Sequence, residues 1–163
     1  MRIGPVRLHE RVGEGGSAWV WRGQHEPADT DVAIKFLRPE ALAEGGRAQY
    51  LLEVQTSARL AHPSIVSVFD YGTLDRDVSL DDGLLEGLPY LMMQYSGLGE
   101  LRVNHVWEWT TLRRVLLEML DALAYAHARS VVHRDIKPAN ILRFADGRGG
   151  TTYRLSDFGI AQA

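Results

Sequence analysis

The eight residues His133-Arg134-Asp135-Ile136-Lys137-Pro138-Ala139-Asn140 constrain this chain more than any other stretch. They gather an imidazole, a guanidinium, a carboxylate, an ammonium and an amide. Buried without partners, such groups cost several kcal/mol each, about 2–7 even for the neutral ones. The stretch must therefore ride on a core supplied by its neighbours. On one side Thr111 to Arg129 reads as a helix, with Leu112, Val115, Leu116, Met119, Leu123 and Ala126 on one face. Val131-Val132 leads out of it. On the other side lie Ile141-Leu142, a turn rich in glycine (Gly147, Gly149, Gly150) and a strand near Tyr153–Ser156.

The first third has a different texture. Val6-Arg7-Leu8-His9 alternates, Ala18-Trp19-Val20-Trp21-Arg22 is aromatic and β-branched, and Val32-Ala33-Ile34-Lys35-Phe36-Leu37 is a third apolar run. Between the first two sits Gly13-Glu14-Gly15-Gly16. Glycines there let backbone amides approach an anion with no Cβ in the way. A dinucleotide-binding loop would open a helix at this point, whereas Ala18–Arg22 reads as a strand. A helix is expected from about Gly46 to Leu60, striped by Tyr50, Val54 and Ala58 and stopped before Pro63. Strands are expected near Ile65–Tyr71 and Tyr90–Tyr95. The intervening Thr73–Leu88 carries Asp75, Asp77, Asp81, Asp82 and Glu86 against Arg76 alone, a solvated loop by composition. A docking role is its alternative reading.

Strands with one helix followed by a mostly helical part make an α+β chain of two lobes. We place the first at residues 1–95 and the second at 96–163. Composition narrows the function classes. With a formal net charge of −3 the chain is not a dedicated nucleic-acid binder. With no cysteine it holds no disulfide, thiolate nucleophile or zinc-thiolate site. Met1–Pro5 has no apolar signal core, and no apolar run spans a membrane, so a soluble cytoplasmic chain is expected.

Taken in order, these motifs resemble the protein kinases, and in particular the bacterial eukaryotic-like serine/threonine kinases. Gly13-x-Gly15-x-x-Ala18-x-Val20 is similar to the family's phosphate-covering loop, with Ala18 where the third glycine usually stands. Val32-Ala33-Ile34-Lys35 is similar to its lysine strand. His133–Asn140 matches the catalytic loop, and Asp157-Phe158-Gly159, 17 residues past Asn140, matches the metal-binding tripeptide. Lys137, two residues after Asp135, resembles serine/threonine rather than tyrosine kinases.

The resemblance implies a kinase-like fold with an antiparallel N-lobe sheet and one helix, followed by an incomplete C-lobe. It implies ATP and Mg²⁺ as cofactors and a protein bearing a Ser or Thr acceptor as partner. Asp135 would orient the acceptor hydroxyl, and Lys137 would stabilise charge on the transferred phosphate. Asn140 and Asp157 would offer oxygens to Mg²⁺. Lys35 would hold the α- and β-phosphates, paired with Glu53 eighteen residues on; Glu44 is the alternative partner. Gly13, Gly15 and Ala18 would cover the phosphates, and Val20, Ala33 and Leu142 would sandwich the adenine. Met93 would be the gatekeeper, the backbone of Gln94 and Ser96 would bond the adenine, and Glu100 would meet the ribose. Phe158, His133, Val68 and Ser57 align with the column that ties the lobes together, and Arg134 with the arginine that meets a phosphorylated activation loop.

The sequence ends at Ala163, four residues past Gly159. The expectation is a truncated chain, poorly active alone, with part of the Leu112–Ala126 helix face exposed. Two other readings stay open: a nucleotide-binding pseudokinase-like interaction module without phosphotransfer, and a phosphotransferase acting on small molecules.

Overall fold

Residues 2–16, 18–39, 50, 54–74, 86–103 and 106–158 are described by a computed structural model. The alternating apolar runs pair into one antiparallel sheet. Its strands are β1 (Arg2–Ile3), β2 (Val6–Glu14), β3 (Ala18–His25), β4 (Thr30–Leu37), β5 (Val68–Thr73) and β6 (Pro89–Gln94), in the spatial order β1-β2-β3-β4-β6-β5. The two-residue β1 carries no sequence signal of its own. The expected strand near Ile65 begins later, at Val68. Ile65 makes only a single bridge, to Leu155.

Register decides which residues face the core. Trp21 lies opposite Ile34, and Ile34 opposite Met92. These three, with Val32 and Phe36, are buried in one apolar cluster with Ile3, Val6 and Leu8. Because side chains alternate along a strand, the intervening residues face the other way. Gly23 shows how close the strands come. A Cβ there would stand 2.9 Å from Val6 Cγ1 and 3.0 Å from the Arg7 carbonyl oxygen, so no larger residue fits without movement.

The helix expected from Gly46 falls partly outside the described residues, and Glu44 and Glu53 lie there too. Tyr50 and 54–58 are helical; we call 54–58 α1. Its buried stripe is Tyr50, Val54 and Ser57, at i, i+4 and i+7. Ser57 replaces the expected Ala58, which is only half-buried. Of the acidic Thr73–Leu88 stretch, 75–85 lie outside the described residues. Its ends are not loop-like: Leu74 and Leu88 are buried, and Leu74 N–H donates to the Leu88 carbonyl at 2.9 Å.

The chain folds as two units. The first comprises the sheet and the described residues up to 54. The second comprises 55–67 together with 96–158, so residues 55–67, assigned above to the first lobe, cluster with the second. Its elements are α2 (Trp109–His127), β7 (Ile141–Ala145) and β8 (Thr151–Leu155). The helix starts two residues earlier than the periodicity suggests, and its buried face is narrower. Val115, Met119, Ala122 and Ala126 are buried. Leu112 and Leu116, expected on that face, are exposed at 37% and 49%, and Leu117 and Leu120 are exposed beside them. The covering partners explain the shift. Tyr153 and Leu155 of β8, together with Leu60, Ile65 and Val131, pack on the Val115–Ala126 stripe. The four leucines lie outside that cluster.

β7 and β8 form a hairpin with Ile141 opposite Leu155. Its turn is closed by the Asp146 carboxylate, which accepts the Arg148 and Gly150 N–H groups, both at 2.8 Å. Those two bonds hold the Asp146 pKa below the usual carboxylate range.

Candidate active site

The catalytic-loop candidates stand at the root of that hairpin. Asn140 ends a single 3₁₀ turn, Pro138–Asn140, immediately before β7. Ser156 follows β8, and its N–H and hydroxyl both donate to the Asn140 carbonyl, at 2.8 and 3.1 Å. The 17-residue interval between Asn140 and Asp157 is thus the length of a hairpin, and its closure brings the two residues to neighbouring backbone positions. Asn140 is 5% exposed.

Asp135 is held from two directions. Lys137 Nζ donates to its Oδ2 at 2.7 Å, and Asn140 Nδ2 donates to the same oxygen at 3.1 Å and to the Asp135 carbonyl at 2.7 Å. The Lys137 bond, helped by Asn140, lowers the Asp135 pKa. The carboxylate is therefore ionised at neutral pH. Both side-chain bonds fall on Oδ2, which leaves the acceptor capacity of Oδ1 for another donor. With its two amide N–H bonds turned to Asp135, Asn140 directs its own side-chain oxygen elsewhere.

His133 organises the loop from beneath. It is 1% exposed. Its Nδ1 accepts the Asp135 N–H at 3.2 Å, and its Nε2 donates to the Ser156 carbonyl at 2.7 Å. This pattern requires the neutral tautomer with hydrogen on Nε2. Burial pushes its pKa below the ordinary value, which agrees. The imidazole also meets the Phe158 ring, with centroids 4.6 Å apart and planes tilted by 57°. Two non-glycine residues in this region adopt left-handed backbone, Arg134 (φ 67°) and Asp157 (φ 61°). Such strain persists only where surrounding structure imposes it.

Ser96, Glu100 and Leu142 gather on the outer side of β7. Glu100 bridges Leu142. Ser96 Oγ donates to the Arg143 carbonyl at 2.5 Å, so its hydroxyl is engaged internally. Arg143, which carries no sequence signal, pins this strip. Its N–H donates to the Gly99 carbonyl at 2.9 Å, and its guanidinium to the carbonyls of Glu100 (3.0 Å) and Leu98.

In the sheet unit, register gathers another set. Lys35 lies between Val20 and Leu91, and Ala33 between Arg22 and Met93. Val20, Ala33, Lys35 and Met93 therefore share the face opposite the Trp21–Ile34–Met92 core. Ala18, opposite Leu37, joins them. Gly13 lies opposite Val20, and a Cβ on it would stand 3.3 Å from Val20 Cβ. Gly15 N–H donates to the Ala18 carbonyl at 2.9 Å, tightening the turn. Gln94 closes β6 opposite Val32. Glu53 and Gly159 lie outside the described residues.

Comparison with known proteins gives the family. Residues 6–163 match the protein kinase domain family. The chain belongs to that family. It is 33% identical over 165 residues to a probable serine/threonine-protein kinase PknB of Bifidobacterium longum, covering 98% of this chain and 23% of that protein. It is 32% identical over 152 residues to the serine/threonine-protein kinase PknF of Mycobacterium tuberculosis, covering 93% of this chain and 31% of that protein. The crystal structure of a mutant form of the Mycobacterium tuberculosis PknI kinase domain superposes with a TM-score of 0.77 at 26% identity, over 99% of this chain and 62% of that one. The chain thus spans less than a third of the length of these curated relatives.

Proposed function

We propose that this chain carries the nucleotide-binding and catalytic-loop residues of a protein serine/threonine kinase, which moves the γ-phosphate of ATP to a Ser or Thr hydroxyl. The observation that carries the reading is the Asp135 carboxylate. It is ionised, fixed on one oxygen by Lys137 and Asn140, and tied through Asn140 to Ser156, the residue before Asp157.

Each group has a role that its chemistry suits. Asp135 accepts a hydrogen bond from the acceptor hydroxyl through Oδ1 and orients the attack. Lys137 adds positive charge next to that carboxylate, where the transferred phosphoryl oxygens must pass. In the sheet unit, Lys35 binds phosphate oxygens. Gly13, Gly15 and Ala18 allow backbone to approach the phosphates, and Val20, Ala33 and Met93 present apolar surface to the base. In the second unit Leu142 is the candidate apolar contact to the base, and Glu100 the candidate for a sugar hydroxyl. The backbones of Gln94 and Ser96 are the candidates for bonding the base. Lys35 takes Glu53 as its partner in this reading.

The donor set fits magnesium. Among the described residues no three His, Asp or Glu side chains converge into a metal cage. Asn140 and Asp157 instead offer two hard oxygens, and Asp157 Oδ1 is buried. Mg²⁺ is commonly held by one or two protein oxygens plus phosphate and water. When bound it neutralises the phosphate charge. A requirement for ATP suits a cytoplasmic setting, and no helix among the described residues is long and apolar enough to cross a membrane.

The test is a transfer assay with labelled Mg-ATP and a protein acceptor, followed by phosphoamino-acid analysis. Phosphoserine or phosphothreonine that depends on Asp135 supports the reading. Nucleotide binding with no transfer would favour an interaction module instead, and label on small molecules alone would move the substrate class.

A further inference from the structure

A buried hydrogen bond joins α1 to the Asp157 segment. Ser57 Oγ donates to the Phe158 carbonyl at 2.9 Å, across 101 residues of sequence. Both residues are buried, at 7% and 3% exposure. On the other side of Asp157, the Ser156 carbonyl accepts from His133 Nε2 at 2.7 Å and the Ser156 N–H donates to Asn140. Asp157 therefore directly follows one fixed peptide group, that of the Ser156 carbonyl, and lies one residue before a second, that of the Phe158 carbonyl, in a left-handed conformation at φ 61°. The contact between the Phe158 and His133 rings holds the side chain. It does not set the rotation of the peptide group, because dispersion has little directionality and a hydrogen bond has much. Ser57 is the described side chain that fixes the Phe158 carbonyl.

We propose that Ser57 is a positioning residue for Asp157. Its hydroxyl anchors the Phe158 carbonyl and, by fixing the residue that follows Asp157, keeps the Asp157 backbone left-handed and its carboxylate aimed for the magnesium-bound nucleotide. An apolar residue of similar size, such as alanine, fills the space and leaves the carbonyl free to rotate. The inference rests on the reading of Asp157 as a magnesium ligand.

The experiment measures the affinity of this chain for a fluorescent ATP analogue, without divalent cation and in saturating Mg²⁺. Loss of a partner that orients a metal ligand commonly weakens metal affinity by about 10–100-fold. Ser57→Ala is expected to lose about tenfold or more of the magnesium-dependent affinity and to keep its metal-free affinity within about twofold. Ser57→Thr, which retains the hydroxyl, is expected to keep the magnesium-dependent gain. The proposal is overturned if Ser57→Ala keeps that gain, or if it loses affinity equally with and without magnesium, as a general loosening of the fold would do. Asp157→Asn separates the two layers of the argument. If it binds Mg-nucleotide as tightly as the unsubstituted chain, the reading of Asp157 itself fails. Hydrogen exchange then judges the clamp by itself: unchanged exchange of the 152–158 segment in Ser57→Ala overturns it, and faster exchange confined to that segment upholds it.

Discussion

The sheet of the first unit and the loop 131–140 of the second place functional side chains by opposite means. In the sheet, a residue's role follows from parity. Ile34 is core because it lies opposite Trp21 and Met92, and Lys35, one step along, faces away because it lies opposite Val20 and Leu91. The ladder fixes every position at once, and no single side chain is responsible. The loop has no ladder between Val131 and Lys137. There His133 and Asp135 are held by individual side-chain hydrogen bonds: the His133 ring to the Asp135 N–H and the Ser156 carbonyl, the Asp135 carboxylate to Lys137 and Asn140. Substitutions in the sheet core should therefore cost stability, while those at the exposed loop side chains, such as Lys137, should alter chemistry with little change in stability.

The largest effect on stability is expected at Ile34, fully buried at the centre of the sheet. Ile34→Ala should lower the unfolding free energy by about 2–5 kcal/mol in a denaturant titration. Within the sheet Gly23→Ala comes next, because its methyl group meets Val6 and the Arg7 carbonyl. Overpacking of this kind costs about 1–3 kcal/mol, visible as a lowered Tm. A Gly23→Ala chain as stable as the parent would show that the strands can part without penalty. In the loop, Lys137→Ala should leave the melting curve nearly unmoved, since Lys137 is half exposed. Its effect appears on pH. The folded-state pKa of Asp135 is depressed chiefly by the Lys137 bond. Removing that bond lets the pKa rise toward its ordinary value, so the acidic limb of the rate profile should move to higher pH. An unmoved limb would mean that another group sets it. Smallest of all is Leu120→Ala on the exposed side of α2, which should change stability by no more than about 0.5 kcal/mol. Met119→Ala, one residue away but buried, should cost about 2–5 kcal/mol.

The same contrast explains what can be read in the sequence. Strands with alternating or continuous apolar runs announce themselves, and β3, β4 and β6 fall within a few residues of expectation. β1 escapes because two residues carry no period. The helix period of α2 is legible, but its buried face is not. Leu112 and Leu116 look more apolar than Ala122, yet Ala122 is buried because Tyr153 and Leu155 cover that side. Periodicity reports a stripe of apolar residues, while the partner elements decide which edge of the stripe is covered. The loop residues His133, Asp135, Lys137 and Asn140 stand out as a motif, and the structure brings them together. Ser156 and Arg143 carry no such signal, and Ser57 is marked only by its alignment with the column, not by the hydrogen bond it makes. They act through hydrogen bonds to backbone carbonyls, and a carbonyl is the same in every residue.

The most direct test of the catalytic assignment is Asp135→Asn, measured twice: once for phosphotransfer to a protein acceptor and once for ATP affinity. The amide keeps the shape and loses the charge. If Asp135 orients the hydroxyl, turnover should fall by about 10²–10⁴ while the Kd for ATP stays within about twofold. Equal losses in transfer and in ATP affinity would contradict that role and make Asp135 a structural residue of the nucleotide site.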